Sequence, residues 1–204
     1  MSSTIVITTT VAAVLFLGGM NLRVILLLVV LMATVFGLMV WLTPWRLGRL
    51  VSYLSPCDPT HVANTGYQLC GALIAFGHGG LFGSGLGTGI AKMGHLPLPH
   101  TDFIFAVIGE ELGFIGCAMV VALLLGLGFF GIRTAMRATD RFGMLLAVGI
   151  TTWILLQAFV NIGAVVGALP ITGVPLPFVS AGGSSLIFTM AGVGILLSVA
   201  NREH

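Results

Sequence analysis

Charged side chains are scarce in this sequence. Only 8 Lys or Arg and 6 Asp or Glu occur among 204 residues, which is 7%, against about 25% in soluble domains. Hydrophobic residues make up 57%, and 29 glycines are added to them. This composition excludes a soluble domain and a disordered chain. A formal charge of +2 also excludes a nucleic-acid binder, because it is too small for a basic surface that follows phosphates. A polytopic membrane protein remains.

Uncharged stretches divide the chain into candidate membrane spans. A helix needs about 20 apolar residues to cross the roughly 30 Å hydrocarbon layer. Five stretches meet this condition, with approximate bounds 4–20, 24–42, 112–132, 142–169 and 183–200. Pro170, Pro175 and Pro177 separate the last two, because proline cannot continue a helix. We therefore predict an all-α membrane bundle that forms a single domain over residues 1–204, with a large loop at 43–111.

The basic residues predict the orientation of this bundle. With five spans, five arginines (Arg23, Arg133, Arg137, Arg141 and Arg202) face Arg46, Arg49 and Lys92 across the membrane. The positive-inside rule then places the N-terminus and the loop 43–111 outside. A sixth span at Tyr67–Phe82 would give the same split with the opposite orientation. However, this segment is short and nine of the 24 residues from Gly66 to Gly89 are glycine. A re-entrant or surface-lying segment is therefore favoured.

Polar residues concentrate in the loop 43–111, which holds seven of the charges and four of the five histidines. A loop of this length is uncommon unless it has a function. Within it, Asp102 directly precedes the apolar run Phe103–Ile108. Asp102 can be a helix cap, or it can be a partly desolvated carboxylate at the membrane interface. A raised pKa would suit the second role, that of a general base. Both interpretations stay open.

Several other polar residues are candidates with two interpretations each. Glu110 lies about 80° from Asp102 on a helix and can share its face, or it can form a charged collar with Glu111. Lys92, the only lysine, can be a solvated charge or a point charge for a phosphate group. The small residues around Ser184 and Ser185 can cap the last span or bind an anion at its N-terminus.

Standard catalytic and metal-binding motifs are absent. The sequence has no HExxH, no paired CxxC, no P-loop and no GxSxG. No dedicated metal site is predicted from His95, His100 and Asp102, and a divalent cation is left as an open option. Cys57 and Cys70 can bridge in an oxidising compartment, but small apolar packing is the preferred interpretation.

Two further patterns are interpreted structurally. The alternating glycines Gly83, Gly85, Gly87 and Gly89 indicate close backbone approach or a hinge. Gln157 and Asn161 lie four residues apart and so share a helix face. Helix packing is their default interpretation.

Two long segments carry a family resemblance. The run PLPHTDFIFAVIGEELGFIG (97–116) and the run LPITGVPLPFVSAGGSSL (169–186) resemble the two signature segments of the SEDS family (FtsW, RodA, SpoVE). Residues 66–97, with their GYQL opening and glycine-rich centre, look more like the FtsW/SpoVE branch than RodA. The resemblance covers essentially the whole chain and matches the C-terminal half of those longer proteins. A truncated or split form is therefore expected.

The resemblance implies a peptidoglycan glycosyltransferase that polymerises lipid II during cell division. It would act on the outer face of the bacterial cytoplasmic membrane. Asp102 takes the position of the family's essential carboxylate and is expected to be the general base. The implied partners are lipid II, a class B penicillin-binding protein and other divisome proteins. The predicted substrate-binding residues are Lys92, His100, Thr101, Glu110, Ser184 and Ser185.

Two alternative functions are retained. A lipid II transporter is motivated by the polar pair Gln157 and Asn161 inside a span, since intramembrane polar residues often mark a transport path. A non-enzymatic division scaffold is motivated by the match to only one half of the family's length.

Overall fold

Apolar helices make up the regular structure in the described part of the chain. A computed structural model describes residues 2–42, 55–58, 66–89, 101–171 and 173–201. The helices in these ranges are α1 (Ser2–Leu17), α2 (Leu22–Trp41), α3 (Tyr67–Gly79), α4 (Ile104–Arg137), α5 (Arg141–Val165) and α6 (Gly183–Asn201). The predicted all-α class is confirmed.

Three of these helices, α4, α5 and α6, are long and apolar enough to cross a membrane. Apolar side chains occur on all of their faces, as expected where a helix has lipid on one side and protein on the other. The apolar stretches Thr4–Leu17 in α1 and Leu22–Val35 in α2 are shorter. The chain is thus a membrane protein, while the count of five spans stays a prediction.

Helix α5 lies at the centre of the bundle, where it packs against α1, α3, α4 and α6. The largest buried apolar cluster joins α3, the first turns of α4, α5 and the loop that follows α5. Its members include Ala72, Ala75, Phe103, Phe105, Ala106, Ala158, Val165 and Leu176. This core therefore directly underlies the segment around Asp102.

The far end of α4 connects to α5 through a short polar turn. Asp140 caps α5, because its carboxylate accepts a hydrogen bond of 2.9 Å from the Gly143 N–H. The next residue, Arg141, donates from Nη2 to the Gly18 carbonyl at 2.7 Å. This hydrogen bond satisfies a carbonyl just beyond the C-terminus of α1, where the helix itself supplies no donor. The two charged residues thus fasten this end of the bundle.

The start of α4 differs from the predicted third span. The helix begins at Ile104 rather than at residue 112, and the predicted loop 43–111 also contains α3. The collar interpretation placed Glu110 and Glu111 at the end of the membrane span. They lie inside α4, before its break at Gly113, with only 2% and 7% of their surface exposed. Contacts from the chain before α4 cover them, so that these charges do not mark the end of the helix.

Gly113 interrupts α4. Its φ of 67° and ψ of −163° form a conformation that is essentially confined to glycine. Residues 80–85, called here the glycine turn, follow α3 and fill this interruption. Backbone hydrogen bonds of 2.9, 3.1 and 3.0 Å run from the N–H groups of Ser84, Gly85 and Phe114 to the carbonyls of Glu110, Glu111 and Gly80. Because lipid offers no hydrogen-bond partners, these bonds are what makes the interruption tolerable.

The elements α3 and α4 approach each other through glycine. A Cβ added at Gly79 would fall inside the van der Waals radius of the Gly109 carbonyl oxygen, and one at Gly83 would meet the Glu111 carbonyl oxygen. Gly83 therefore confirms the predicted close backbone approach. Gly87 has open space at the same position, so the pattern of alternating glycines has no single cause.

Cys57 and Cys70 form a disulfide bond. The preferred interpretation of these residues as small packing residues is therefore wrong. Helix α3 begins at Tyr67, which places Cys70 in its first turns and brings its Cα within 5.1 Å of the Cα of Cys57. The sequence does not reveal this, because the pairing depends on where the chain before α3 returns. Cys117 is a free, buried thiol.

Alkylation is expected to count one free thiol. When the chain is denatured without reductant, one of its three cysteines should react, and all three should react after reduction. Mass spectrometry of the alkylated protein measures both numbers. Replacing both bridging cysteines by serine should destabilise the protein by about 3 kcal/mol, since the closed loop has about 15 residues. Three reactive thiols before reduction would contradict the bridge.

Candidate functional site

Asp102 lies in a turn directly before α4 and faces the loop between α5 and α6, residues 166–182, called here the α5–α6 loop. Its carboxylate Oδ2 is next to Gly173, at 3.4 Å from the position of an added Cβ. The residue that caps α4 is Phe103, without a side-chain hydrogen bond. Asp102 is therefore not a helix cap, and that interpretation is wrong because α4 starts one residue too late for it.

Asn161 of α5 is hydrogen-bonded to this turn. Its Nδ2 donates one hydrogen bond of 2.9 Å to the Asp102 carbonyl and another of 2.6 Å to the Val174 carbonyl. Only 2% of Asn161 is exposed. One buried amide thus joins Asp102, in the turn before α4, to the α5–α6 loop.

Ser180 makes the corresponding connection one residue earlier. Its hydroxyl donates to the Thr101 carbonyl at 2.6 Å and accepts the Leu176 N–H at 2.7 Å. A third side chain, Gln157, donates to the Pro175 carbonyl at 2.9 Å. The α5–α6 loop is therefore held by side chains where its prolines leave it without regular structure.

The environment of Asp102 favours its protonated form. Partial burial raises the pKa of the Asp102 carboxyl above its usual range, and a hydrogen bond with the Thr101 side chain lowers it by a smaller amount. A carboxylate with a raised pKa is a stronger base than one in water. This arrangement can accept a proton from a hydroxyl group placed beside it.

Among the predicted site residues that the structure describes, Thr101 is the one that lies beside Asp102. Glu110 is buried elsewhere: its Oε1 lies 4.0 Å from Nδ1 of His78 on α3, and its other oxygen lies against Gly89. The predicted shared face fails because Asp102 precedes the helix that carries Glu110. Lys92 and His100 lie outside the described residues.

Ser184 and Ser185 lie in the first turn of α6. Ser184 is exposed, and the Ser185 carbonyl accepts a hydrogen bond from the Thr189 hydroxyl within the helix. Neither serine is among the hydrogen-bond partners of the 101–102 turn in the described ranges. In the same ranges, no three His, Cys, Asp or Glu side chains form a group that could hold a metal ion.

Three residues beside Asp102 are missing from the predicted site: Gly173, Asn161 and Ser180. The signal for Asn161 is its position in a span without charges, where a polar side chain needs a partner. Gln157 and Asn161 do share a face, but their amide nitrogens bind loop carbonyls. The polar pair that motivated the transporter alternative is thus hydrogen-bonded to the α5–α6 loop.

Comparison with known proteins identifies the family of the chain. The family model of the FtsW, RodA and SpoVE cell cycle proteins matches residues 1–204. The chain belongs to this family. A curated family member from Geobacter metallireducens, named a probable peptidoglycan glycosyltransferase FtsW, is 49% identical over 92% of this chain and 50% of its own length. A protein of the same name from Coxiella burnetii is 45% identical over 96% of this chain and 53% of its own.

A solved structure of a family member has the same fold. It comes from a study of polymerization and crosslinking by a peptidoglycan synthase complex, and it superposes with a TM-score of 0.74 at 28% identity. The match covers 98% of this chain and 55% of that chain. This chain therefore spans about half the length of the family members it matches.

Proposed function

We propose that this chain carries the general base of a peptidoglycan glycosyltransferase that polymerises lipid II during cell division. The observation that supports this most is the partly buried carboxylate of Asp102, in a turn whose backbone carbonyls are bound by Asn161 and Ser180. Relatives named as probable peptidoglycan glycosyltransferases match nearly the whole chain. The activity, its substrate and its partners are inferred from these two lines of support.

In the proposed reaction, Asp102 removes the proton from a sugar hydroxyl of one lipid II. The oxygen then forms a bond to the anomeric carbon of a second, lipid-linked sugar. The bond from that carbon to the pyrophosphate breaks, and the lipid pyrophosphate leaves with the electron pair. Attack opposite to the leaving group inverts the anomeric carbon. Lys92 is proposed to neutralise the pyrophosphate, and His100, Thr101, Glu110, Ser184 and Ser185 are proposed to bind substrate.

An apolar cavity supports a lipid-linked substrate. About 620 Å³ in volume, it lies between α3, α4 and α5 and is lined by apolar residues that include Phe76, Phe105, Phe114 and Leu125. A cavity of this size accommodates part of an isoprenoid chain. The lining residue Phe105 lies in the first turn of α4, so the cavity reaches the start of the helix that follows the proposed base.

The proposed location is the cytoplasmic membrane, with Asp102 on its outer face. The disulfide between Cys57 and Cys70 supports this side, because disulfides persist in oxidising compartments and are rare in the cytosol. The cysteines and Asp102 belong to the same predicted loop. A class B penicillin-binding protein and other divisome proteins are the proposed partners.

Reconstitution tests the proposal. The chain is placed in phospholipid vesicles with lipid II, a class B penicillin-binding protein and the part of a family member that the chain does not match. Formation of glycan polymer that requires this chain is the expected result. Movement of lipid II across the bilayer without polymer would instead support transport. If the vesicle proteins are folded and neither polymer nor movement of lipid II is detected, the enzyme proposal is overturned and a scaffold role remains.

The rate of polymerisation is expected to fall on acidification with a midpoint above the usual aspartate pKa of about 3.9. The base must be deprotonated, and burial raises the pKa of Asp102. The active fraction is thus lost as the pH falls through this raised value. Initial rates at lipid II well below KM, between about pH 3 and 8, measure the profile of the free enzyme over a range that begins below the usual aspartate pKa. A midpoint at or below the usual aspartate pKa would contradict this role.

A further inference from the structure

We propose that Asn161 and Ser180 are positioning residues for Asp102, which they hold by binding the carbonyls of two consecutive residues. This pair is called here the carbonyl clamp. Asn161 binds the Asp102 carbonyl, and Ser180 binds the Thr101 carbonyl. The expected effect of the clamp on catalysis rests on the proposed function. The clamp itself concerns only the position of residues 101 and 102.

Each residue of the clamp connects the turn at residues 101 and 102 to the α5–α6 loop. Asn161 also binds the Val174 carbonyl, and Ser180 also accepts the Leu176 N–H. Two bonds to successive carbonyls fix the orientation of the peptide planes at Thr101 and Asp102, which a single bond would leave free to rotate. Because the side chain of Asp102 projects from this backbone, the clamp limits the positions that its carboxylate can reach, and the carboxylate lies beside Gly173.

The side chains of the clamp must donate hydrogen bonds, because they bind backbone carbonyls. Both partners of the Asn161 amide nitrogen are carbonyl oxygens, so only a group with two N–H bonds can replace it. This also sets the orientation of the amide, with Oδ1 pointing the other way. In the described ranges, that buried oxygen has no hydrogen-bond partner. An unpartnered buried oxygen lowers stability, so packing alone does not account for an asparagine here.

Gln157 provides a matched control within the same helix. It lies one turn before Asn161 and donates a comparable bond to the same loop, at the Pro175 carbonyl. Its bond does not reach the 101–102 turn. Gln157→Met therefore removes a loop contact without removing a clamp contact, whereas Asn161→Leu removes both kinds.

Thiol labelling tests the position of the turn directly. In a Cys117→Ala background, Asp102→Cys introduces one reactive thiol at the turn while the disulfide remains closed. Maleimide labelling of the full chain in membranes is expected to be about tenfold faster with Asn161→Leu, because losing the buried bonds favours local opening. With Gln157→Met, the rate should stay within about twofold. Equal rates in the two variants would overturn the clamp.

Ser180 supplies an independent pair in case Asn161→Leu does not fold. Ser180→Thr keeps the hydroxyl and Ser180→Val has the same shape without it. Labelling at position 102 is expected to be faster in the valine variant alone. If both variants label alike, Ser180 is not part of the clamp.

Kinetics separate positioning from substrate binding. In the reconstituted enzyme, Asn161→Leu and Ser180→Val are expected to lower kcat at least about tenfold with KM within about twofold, since neither side chain contacts substrate. Gln157→Met should preserve both constants. A rise in KM with kcat unchanged would overturn a positioning role. If labelling responds as expected but the unsubstituted chain forms no polymer, the clamp stands and the proposed function fails.

Discussion

Asp102→Asn is expected to lower polymerisation of lipid II by about 10²–10⁴-fold, the usual contribution of a general base. Asparagine has nearly the same shape as aspartate but cannot take up the proton. Its backbone carbonyl can still accept the bond from Asn161, so the turn should keep its place. Polymer length and yield on gels, together with initial rates, measure the loss.

Asp140→Asn is the matched control. Asp140 caps α5 at the far end of α4, and asparagine caps helices as well as aspartate does. This variant should polymerise at the normal rate and melt at the same temperature. If Asp102→Asn polymerised normally, the assignment of the base would be wrong. If it rescued cell division without polymer, the scaffold would be the better description.

Gly79→Ala is expected to prevent stable folding, whereas Gly77→Ala should be tolerated. A Cβ at position 79 would collide with the Gly109 carbonyl oxygen, while the same atom at position 77 has no neighbour within 4 Å. The collision involves backbone on both sides, which cannot rotate away. Overpacking of a tight contact usually destabilises by about 1–3 kcal/mol, and separation of α3 from α4 would add the loss of the hydrogen bonds between the glycine turn and α4.

Both variants lie in α3 and add the same single methyl group. The amount of protein extracted in monodisperse form, and its thermal midpoint, measure the difference. Gly79→Ala should also speed proteolysis near the glycine turn. Equal stability of the two variants would mean that α3 and α4 are not packed through Gly79.

The helical fold could be predicted because scarce charge and long apolar stretches reflect the membrane itself. The exact start of α4 could not. Glu110 and Glu111 indicate the end of a span in sequence, but chain from a distant segment covers them. A carboxylate that is buried by tertiary contacts has the same sequence pattern as one at a surface. The disulfide escaped prediction for a similar reason, since it depends on how the chain returns to α3.

The candidate base could be predicted, but its surroundings could not. Asp102 was found from its place ahead of an apolar run and from the resemblance that followed. Its contact with Gly173 joins residues 71 positions apart, as the numbering gives, and no spacing rule connects them. The bonds from Asn161 and Ser180 are equally remote in sequence. Local patterns identify chemistry, whereas the support for that chemistry comes from the packing of α5 and its loop.

The interruption of α4 at Gly113 bears on how the protein enters the membrane. An open carbonyl or N–H in lipid costs several kcal/mol, so α4 is a poor substrate for insertion on its own. The glycine turn that satisfies these groups precedes α4 in the chain, and synthesis proceeds from the N-terminus. Its partner is thus already made when α4 leaves the ribosome. Because the glycine turn is synthesised first, it can enter the membrane together with α4. The unpaired backbone groups of α4 then need not be exposed to lipid.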